Sequence, residues 1–476
     1  MKKNYENPLI VRYSSKEMSE VFSPDSKFTT WRKLWVALAE SQKELGLNIT
    51  DKQINELRNK IYDIDYNKAK KMERKFRHDV MAHVHTYGEQ CPNAKGIIHL
   101  GATSAFIGDN TDIILIKNAM QIVKSKLINL IDKMTNFSLK YKSLPTLGYT
   151  HYQPAQMTTV GKRASLWLYD IYLDYKKIES TINNIKFRGV KGTTGTQASF
   201  LNLFSDDHDK VKQLDKLVAE KMGFDNIHPV SGQTYTRKQD FDVLSSLSSI
   251  AQSLHKITND IRLLQSMKEV EEPFGKSQIG SSAMAYKRNP MRCERVASLS
   301  KYIISNLMNP ALIHSTQWFE RTLDDSANRR LSIAQGFLAT DAILDIAINI
   351  FDGLHVYKNV IKANIDRELP FMATENILME SVKRGGDRQE LHESIRILSM
   401  KAAKEVKEMG KENNLINKIK DSDLFPLTEE EIDKIVDPKN FVGRSEKQVE
   451  EFIEQFVRPI LEKNKNILGI DVNLKV

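Results

Sequence analysis

An all-α fold built on a bundle of long helices follows from three features of the sequence. Apolar residues recur with 3-4 spacing along four long segments, the pattern of one buried helix face. Glycine (21) and proline (13) are scarce in 476 residues, below the roughly 12% of ordinary chains, so turns are few. Strand signals are confined to two short stretches, 148–153 and 193–200.

Taken in order, residues 1–103 read as an N-terminal region of shorter helices. The first seam then runs Ile113, Ile116, Met120, Val123, Leu127, Leu130, Met134 and Phe137 without a break. A second runs Ala164, Leu168, Ile171, Tyr175, Ile178, Ile182 and Ile185, and a third Leu244, Leu247, Ala251, Leu254, Ile257, Ile261 and Leu264. A helix over 296–307 is expected to stop at Asn309-Pro310, because the residue before proline disfavours the α region. The fourth seam runs Ile333, Phe337, Leu344, Ala347, Phe351 and Leu354, with Thr340 filling its gap. Helices of this length pack side by side at shallow angles. Residues 104–356 therefore form a central bundle, and 357–476 a C-terminal helical region marked by Leu369-Pro370 and Arg384-Gly385-Gly386-Asp387. Ile114, Leu115, Ile128 and Ile131 lie beside the first seam, and so much apolar surface predicts that the bundle is also an oligomer core.

Composition narrows the function classes. Hydrophobic residues make up 41% and charged residues 28%, as in ordinary globular chains. No run of about 18 uninterrupted apolar residues appears, which argues against a membrane span, and Met1-Lys2-Lys3 has no apolar run behind it, unlike a secretory signal. Two cysteines, Cys91 and Cys293, without a CxxC pair fit a reducing, cytoplasmic setting. The net charge of +9 asks for an anionic partner or a lysine-rich surface. Bases and acids interleave, as at 68–75, so nucleic acid is not favoured and small anions remain candidates.

Three segments carry candidate chemistry. In 278–291, Ser281 and Ser282 follow a glycine, and Lys287, Arg288 and Asn289 offer donors to a carboxylate or oxyanion. A serine near a lysine is a nucleophile, an unusual base, or part of a flexible polar loop. In 77–85, His78, His83 and His85 resemble a metal cluster, but their spacings do not share a helix face, so no metal ligand is assigned. His78, between Arg77 and Asp79, is the functional candidate there. His151 precedes a long helix starting near Thr158 and Thr159, where it could exchange a proton near neutral pH. The stretches 96–104 and 189–197 lack the endings of nucleotide-binding loops, yet Thr103, Ser104, Thr193 and Thr194 are hydroxyl donors for carboxylate or phosphate.

Together the segments resemble the fumarase/aspartase superfamily, whose SSxMxxKxN signature stands at 281–289. The segments RHDVMAHVHT (77–86), IIHLGATS (97–104), PTLGYTHYQPAQ (145–156), RGVKGTTGTQASF (188–200), SGQTYTRK (231–238) and QWFERTLDDSANRR (317–330) resemble its adenylosuccinate lyase family, especially the animal form. The resemblance spans nearly the whole chain and thins over the last hundred residues. It implies release of fumarate from adenylosuccinate to give AMP and from SAICAR to give AICAR, with no cofactor and no metal. It also implies a homotetramer whose active sites are shared between subunits.

By that resemblance Ser281 is the general base, His151 the general acid, Lys287 and Asn289 stabilise developing negative charge, and His78 orients the substrate. Arg12, Tyr13, Arg77, Asp79, Thr103, Ser104, Gln233, Ser282, Arg295, Arg321, Ser326 and Arg330 match substrate contacts. Arginine forks suit a phosphate and two carboxylates. One departure is Ala285, where the family usually has proline; losing it widens the open-loop ensemble and slows closure. Two alternatives predict different behaviour: another fumarate-releasing lyase, such as argininosuccinate lyase, would not need the phosphate-type residues, and a non-catalytic basic helical scaffold would show salt-sensitive nucleic-acid binding.

Overall fold

The computed structural model describes residues 3–275, 277–472 and 474, so Met1 and Lys2 of the leader reading lie outside the described residues. Lys16–Val21 (α1) and Pro24–Glu44 (α2) start at serine N-caps, Ser15 and Ser23, each accepting a backbone N–H. Asp51–Asn59 (α3), Tyr66–Phe76 (α4) and Asp79–Gln90 (α5) complete the N-terminal region. Its core holds Trp31, Trp35 and Tyr87, and it is continuous with that of the bundle.

The first seam lies within the 37-residue Ser104–Lys140 (α6), and every one of its residues is buried. Pro145–Thr150 (β1) and Gln153–Thr159 (β2) form an antiparallel hairpin, so the first strand signal extends into two strands. Thr159 then caps Val160–Asn184 (α7), accepting from the Lys162 N–H at 3.0 Å. The second strand signal is not a strand. Gly192, Gly195 and Gln197 adopt positive φ and lead into Ala198–Leu203 (α8). A Cβ at Gly195 would collide with the Ser231 carbonyl, so this close approach requires glycine.

After His208–Lys221 (α9) come Lys238–Ser266 (α10), Met291–Asn306 (α11), Met308–Ser315 (α12) and Asp324–Gly353 (α13). The stop at Asn309-Pro310 comes slightly earlier than expected: the chain breaks at Leu307, and Pro310 sits in the first turn of α12, where its missing N–H costs nothing. Helix α10 packs against α11, α7 and α13, and α6 against α7 and α13. Among the described residues α13 is long and apolar enough to cross a membrane, but 83% of its apolar window is buried in this bundle.

Leu115, Ile128 and Ile131 are buried within the chain itself. Apolar surface remains instead on α7 (Leu166, Tyr169, Leu173), α10 (Leu263), α11 (Ile304) and α12 (Met308, Leu312). Beyond the bundle, residues between Ala373 and Ile432 form a second hydrophobic core. The chain then returns, burying Val449, Ile453 and Val457 in the main core. There Asn129 of α6 donates to the Ile467 carbonyl at 2.8 Å and accepts from the N–H of Gly469 at 2.8 Å and Ile470 at 3.2 Å.

Candidate active site

Helix α4 ends at Arg77 in the left-handed region (φ 55°), a turn that carries the chain into α5 with His78 as its N-cap. His78 Nδ1 accepts the Met81 N–H at 3.3 Å, and its Nε2 lies 3.2 Å from Ser104 Oγ. An accepting Nδ1 leaves Nε2 as the proton-bearing nitrogen of the neutral ring, directed at Ser104. Ser104 opens α6, and Thr103 before it occupies the N-cap without a side-chain cap bond. The positive end of a long helix therefore faces the same space as the histidine.

That space is a cleft of about 710 Å³ between the N-terminal region, α6 and the start of α13. Of the expected residues, Arg77, His78, Asp79 and Ser104 line one wall, and Gln233, Arg321, Ser326 and Arg330 the other. Arg330 Nη2 reaches Asp79 Oδ2 at 3.4 Å across it. Lys27 also lines the cleft, and burial first, then the charge of Arg330, lowers its ammonium pKa.

The floor of the cleft, which Asp109, Asp112, Arg237, Asp325 and Arg329 line, is a network that motif reading did not single out. Arg237 donates to both oxygens of Asp109 at 3.2 and 3.1 Å and through Nε to Asp325 Oδ2 at 2.9 Å, with Nη2 in ion-pair contact with the same oxygen at 2.7 Å. Arg329 donates to Asp240 at 2.7 Å, to Asp112 at 2.9 Å and to the Tyr235 hydroxyl at 2.6 Å. Tyr235 in turn donates to Asp240 at 2.5 Å. These groups tie α6, α10 and α13 together under Gln233, Ser326 and Arg330. Burial pushes the Asp109 carboxyl up, but Arg237, Arg329 and Arg188 outweigh it and hold the group below its ordinary value.

The other histidines of 77–85 diverge from His78. His83 stacks on Phe28 at 3.9 Å between ring centroids, and burial lowers it to about 4, whereas His85 packs on Phe76 at 4.7 Å.

The remaining expected residues lie away from the cleft lining. His151 and Tyr152 are the two loop residues of the β1–β2 hairpin, both exposed and both at positive φ (52° and 58°), as a two-residue hairpin turn of this type needs. In the signature loop, Ser281 Oγ accepts the N–H groups of Ala283 at 3.4 Å and Met284 at 3.2 Å. Asn289 donates to the Gly280 carbonyl at 2.7 Å, and a Cβ at Gly280 would collide with the Lys287 carbonyl, so the loop doubles back tightly. Ser282 and Lys287 are exposed on it. Arg12 and Arg295 each place a guanidinium 5.9 Å from the Tyr13 ring centre, bringing the N-terminal segment and α11 together.

The family described as Lyase matches residues 14–304, and that described as Adenylosuccinate lyase C-terminus matches 370–452. Bundle and cleft thus define a helical lyase. The 3-carboxy-cis,cis-muconate lactonizing enzyme from Pseudomonas putida shares the fold, with a TM-score of 0.82 at 20% identity, covering 95% of this chain and 100% of that one. Adenylosuccinate lyase of Saccharomyces cerevisiae is 55% identical, covering 98% of this chain and 97% of the relative. That of Schistosoma mansoni is 46% identical with 99% of each covered, and that of Pyrococcus abyssi 31% with 94% and 97% covered. This chain belongs to the adenylosuccinate lyase family.

Proposed function

We propose that the chain is a carbon–nitrogen lyase of purine nucleotide biosynthesis, releasing fumarate from adenylosuccinate to give AMP and from SAICAR to give AICAR. The observation that carries this is 55% identity to an adenylosuccinate lyase over 98% of the chain. The cleft supports it, because Arg77, Arg321 and Arg330 converge there with the N-terminus of α6, a setting suited to phosphate and carboxylate.

β-Elimination removes a proton from the carbon next to a carboxylate and passes through a dianionic aci-carboxylate, which needs donors aimed at the developing charge. Lys287 and Asn289 supply them in this reading, with Ser282 beside them. Ser281 takes the proton. A serine is a weak base unless its alkoxide is stabilised, and the two N–H groups directed at its Oγ favour that form. His151 protonates the departing nitrogen. His78, held by Ser104, orients the substrate, and Asp79, Thr103, Gln233 and Ser326 bind it beside the arginines. Arg12, Tyr13 and Arg295 form a further contact set.

Neither His151 nor the signature loop lines the cleft of their own chain. That separation, and the exposed apolar faces of α7, α10, α11 and α12, support a homotetramer with sites assembled from several subunits. Two cysteines without a CxxC pair support a cytoplasmic setting. The reading also divides the chain into the regions 1–103, 104–356 and 357–476. The test is fumarate release from adenylosuccinate by the wild type, His151→Ala and Ser281→Ala. The wild type should be active and each variant nearly inactive. A mixture of the two variants should regain activity through sites built from intact parts. An inactive wild type would sink the function, and full activity in either variant would remove the role given to that residue.

A further inference from the structure

The segment bearing Arg12 and Tyr13 is anchored at a point distant from it in sequence. Leu9–Tyr13 forms one wide helical turn, and Ser14 and Ser15 follow as an extended link into α1 (ψ 157° and 158°). The Ser15 N–H donates to Asp341 Oδ2 at 2.7 Å, and Ser15 Oγ to Asp341 Oδ1 at 3.2 Å. Asp341 sits on α13 with no exposure of its side chain. Lys126 of α6 bridges Asp341 and Asp345 at 2.5 and 2.6 Å, so α6 and α13 hold the carboxylate in place. Leu9 and Met18, on either side, are buried and keep the segment on the bundle, whereas Arg12 itself is exposed.

We propose that Asp341 is a positioning residue for the lyase reaction: by holding Ser15 it fixes the Arg12–Tyr13 segment against Arg295, ready for the anionic substrate. The inference rests on the reading of Arg12 and Tyr13 as substrate contacts. Both Asp341 oxygens accept hydrogen bonds, one from Ser15 and the other from Ser15 and Lys126. An asparagine can accept on one side only and turns its amide hydrogens toward a donor on the other. Asp341→Asn still leaves Lys126 paired with Asp345, so no lone charge is buried.

Ser15→Pro is an independent variant. Ser15 has φ −66°, the value proline imposes, and Ser14 is extended as a residue before proline must be, so the change removes the N–H, together with the hydroxyl that caps α1, without altering the path. Ser15→Ala keeps the N–H and loses the hydroxyl with its cap on α1, so it isolates the hydroxyl's share of the Ser15→Pro effect. KM for adenylosuccinate should rise about tenfold in Asp341→Asn and Ser15→Pro, with kcat within about threefold of wild type, and by less than about threefold in Ser15→Ala. In an Arg12→Ala background, Asp341→Asn should add no further rise, because the segment it positions has already lost its cation. Unchanged KM in both variants, an equal rise in Ser15→Ala, or full additivity with Arg12→Ala would overturn the inference. If Asp341→Asn does not fold, Ser15→Pro alone decides. A wild type without fumarate release would instead refute the function itself, before any variant is made.

Discussion

Arg237→Met tests the network at the floor of the cleft. Arg237 is 1% exposed and makes four charge-assisted contacts between 2.7 and 3.2 Å with Asp109 and Asp325. Methionine fills the aliphatic part of its volume, so the main loss is the cation, leaving two carboxylates under-compensated in the interior. Breaking a buried pair by removing one partner costs about 3–5 kcal/mol. The sign of the pH dependence follows from Asp109. In the wild type its folded value lies below the unfolded one, so its contribution is present above the ordinary carboxylate range and lost as pH falls through the lowered value. Without Arg237, burial has less to oppose it, so the folded value rises above that of the wild type and the variant keeps less of this contribution. The stability gap between the two proteins should therefore widen from pH 5 to pH 8. Urea unfolding at matched protomer concentration measures it, since an oligomer's stability depends on concentration. Fumarate release should fall as Gln233, Ser326 and Arg330 lose their support. A gap under about 1 kcal/mol at pH 8, against the 3–5 expected of a buried pair, or one that narrows with rising pH, would refute the reasoning.

Three further outcomes are expected. Asp174 of α7 is buried against the Ser249 hydroxyl at 2.6 Å, and burial pushes its carboxyl from 3.8 up to about 6. The unfolded chain therefore ionises first, and the wild type loses stability as pH climbs between those values; relative to it, Asp174→Asn should gain about 2 kcal/mol between pH 4.5 and 7.5 by urea unfolding, and a flat difference would exclude this. Ala285→Pro should raise turnover and slow amide hydrogen exchange across 281–289 by narrowing the open-loop ensemble, and no change in either would discard the idea. Ser104→Ala removes the partner of His78 Nε2 at 3.2 Å and should raise KM several-fold with little change in unfolding midpoint, whereas an unaltered KM would mean that the contact does not orient the ring.

The long helices were legible because a buried face repeats in sequence: the seam residues of α6, α7 and α10 are the ones the fold buries. The span 193–200 misled because its threonines resemble a strand, while Gly195 and Gln197 within it, and Gly192 just before it, take positive φ and decide the path. Surface-type residues hid the network. Asp109, Asp112, Arg237, Asp240, Asp325 and Arg329 each resemble a solvated helix charge, and only packing α6, α10 and α13 together shows that they satisfy one another. A four-residue polar run, Asp109-Asn110-Thr111-Asp112, immediately before the apolar seam of α6 was the available signal. The hairpin tip was equally hidden, since His151-Tyr152 lacks the Asn or Gly that usually marks such a turn.

Lys126 and Asn129 lie on neighbouring positions of α6, and through them the two ends of the described chain are fastened to nearly the same point. The first, reached through Asp341, is available once α13 has been made. The second waits for residues 467–470, which come after every long helix of the bundle in sequence. Until then Asn129, 2% exposed in the finished protein, lacks the chain-end groups that match its amide. A chain ending before residue 467 would keep every long helix and still carry a mismatched polar group inside its bundle, a flaw that shows as local opening.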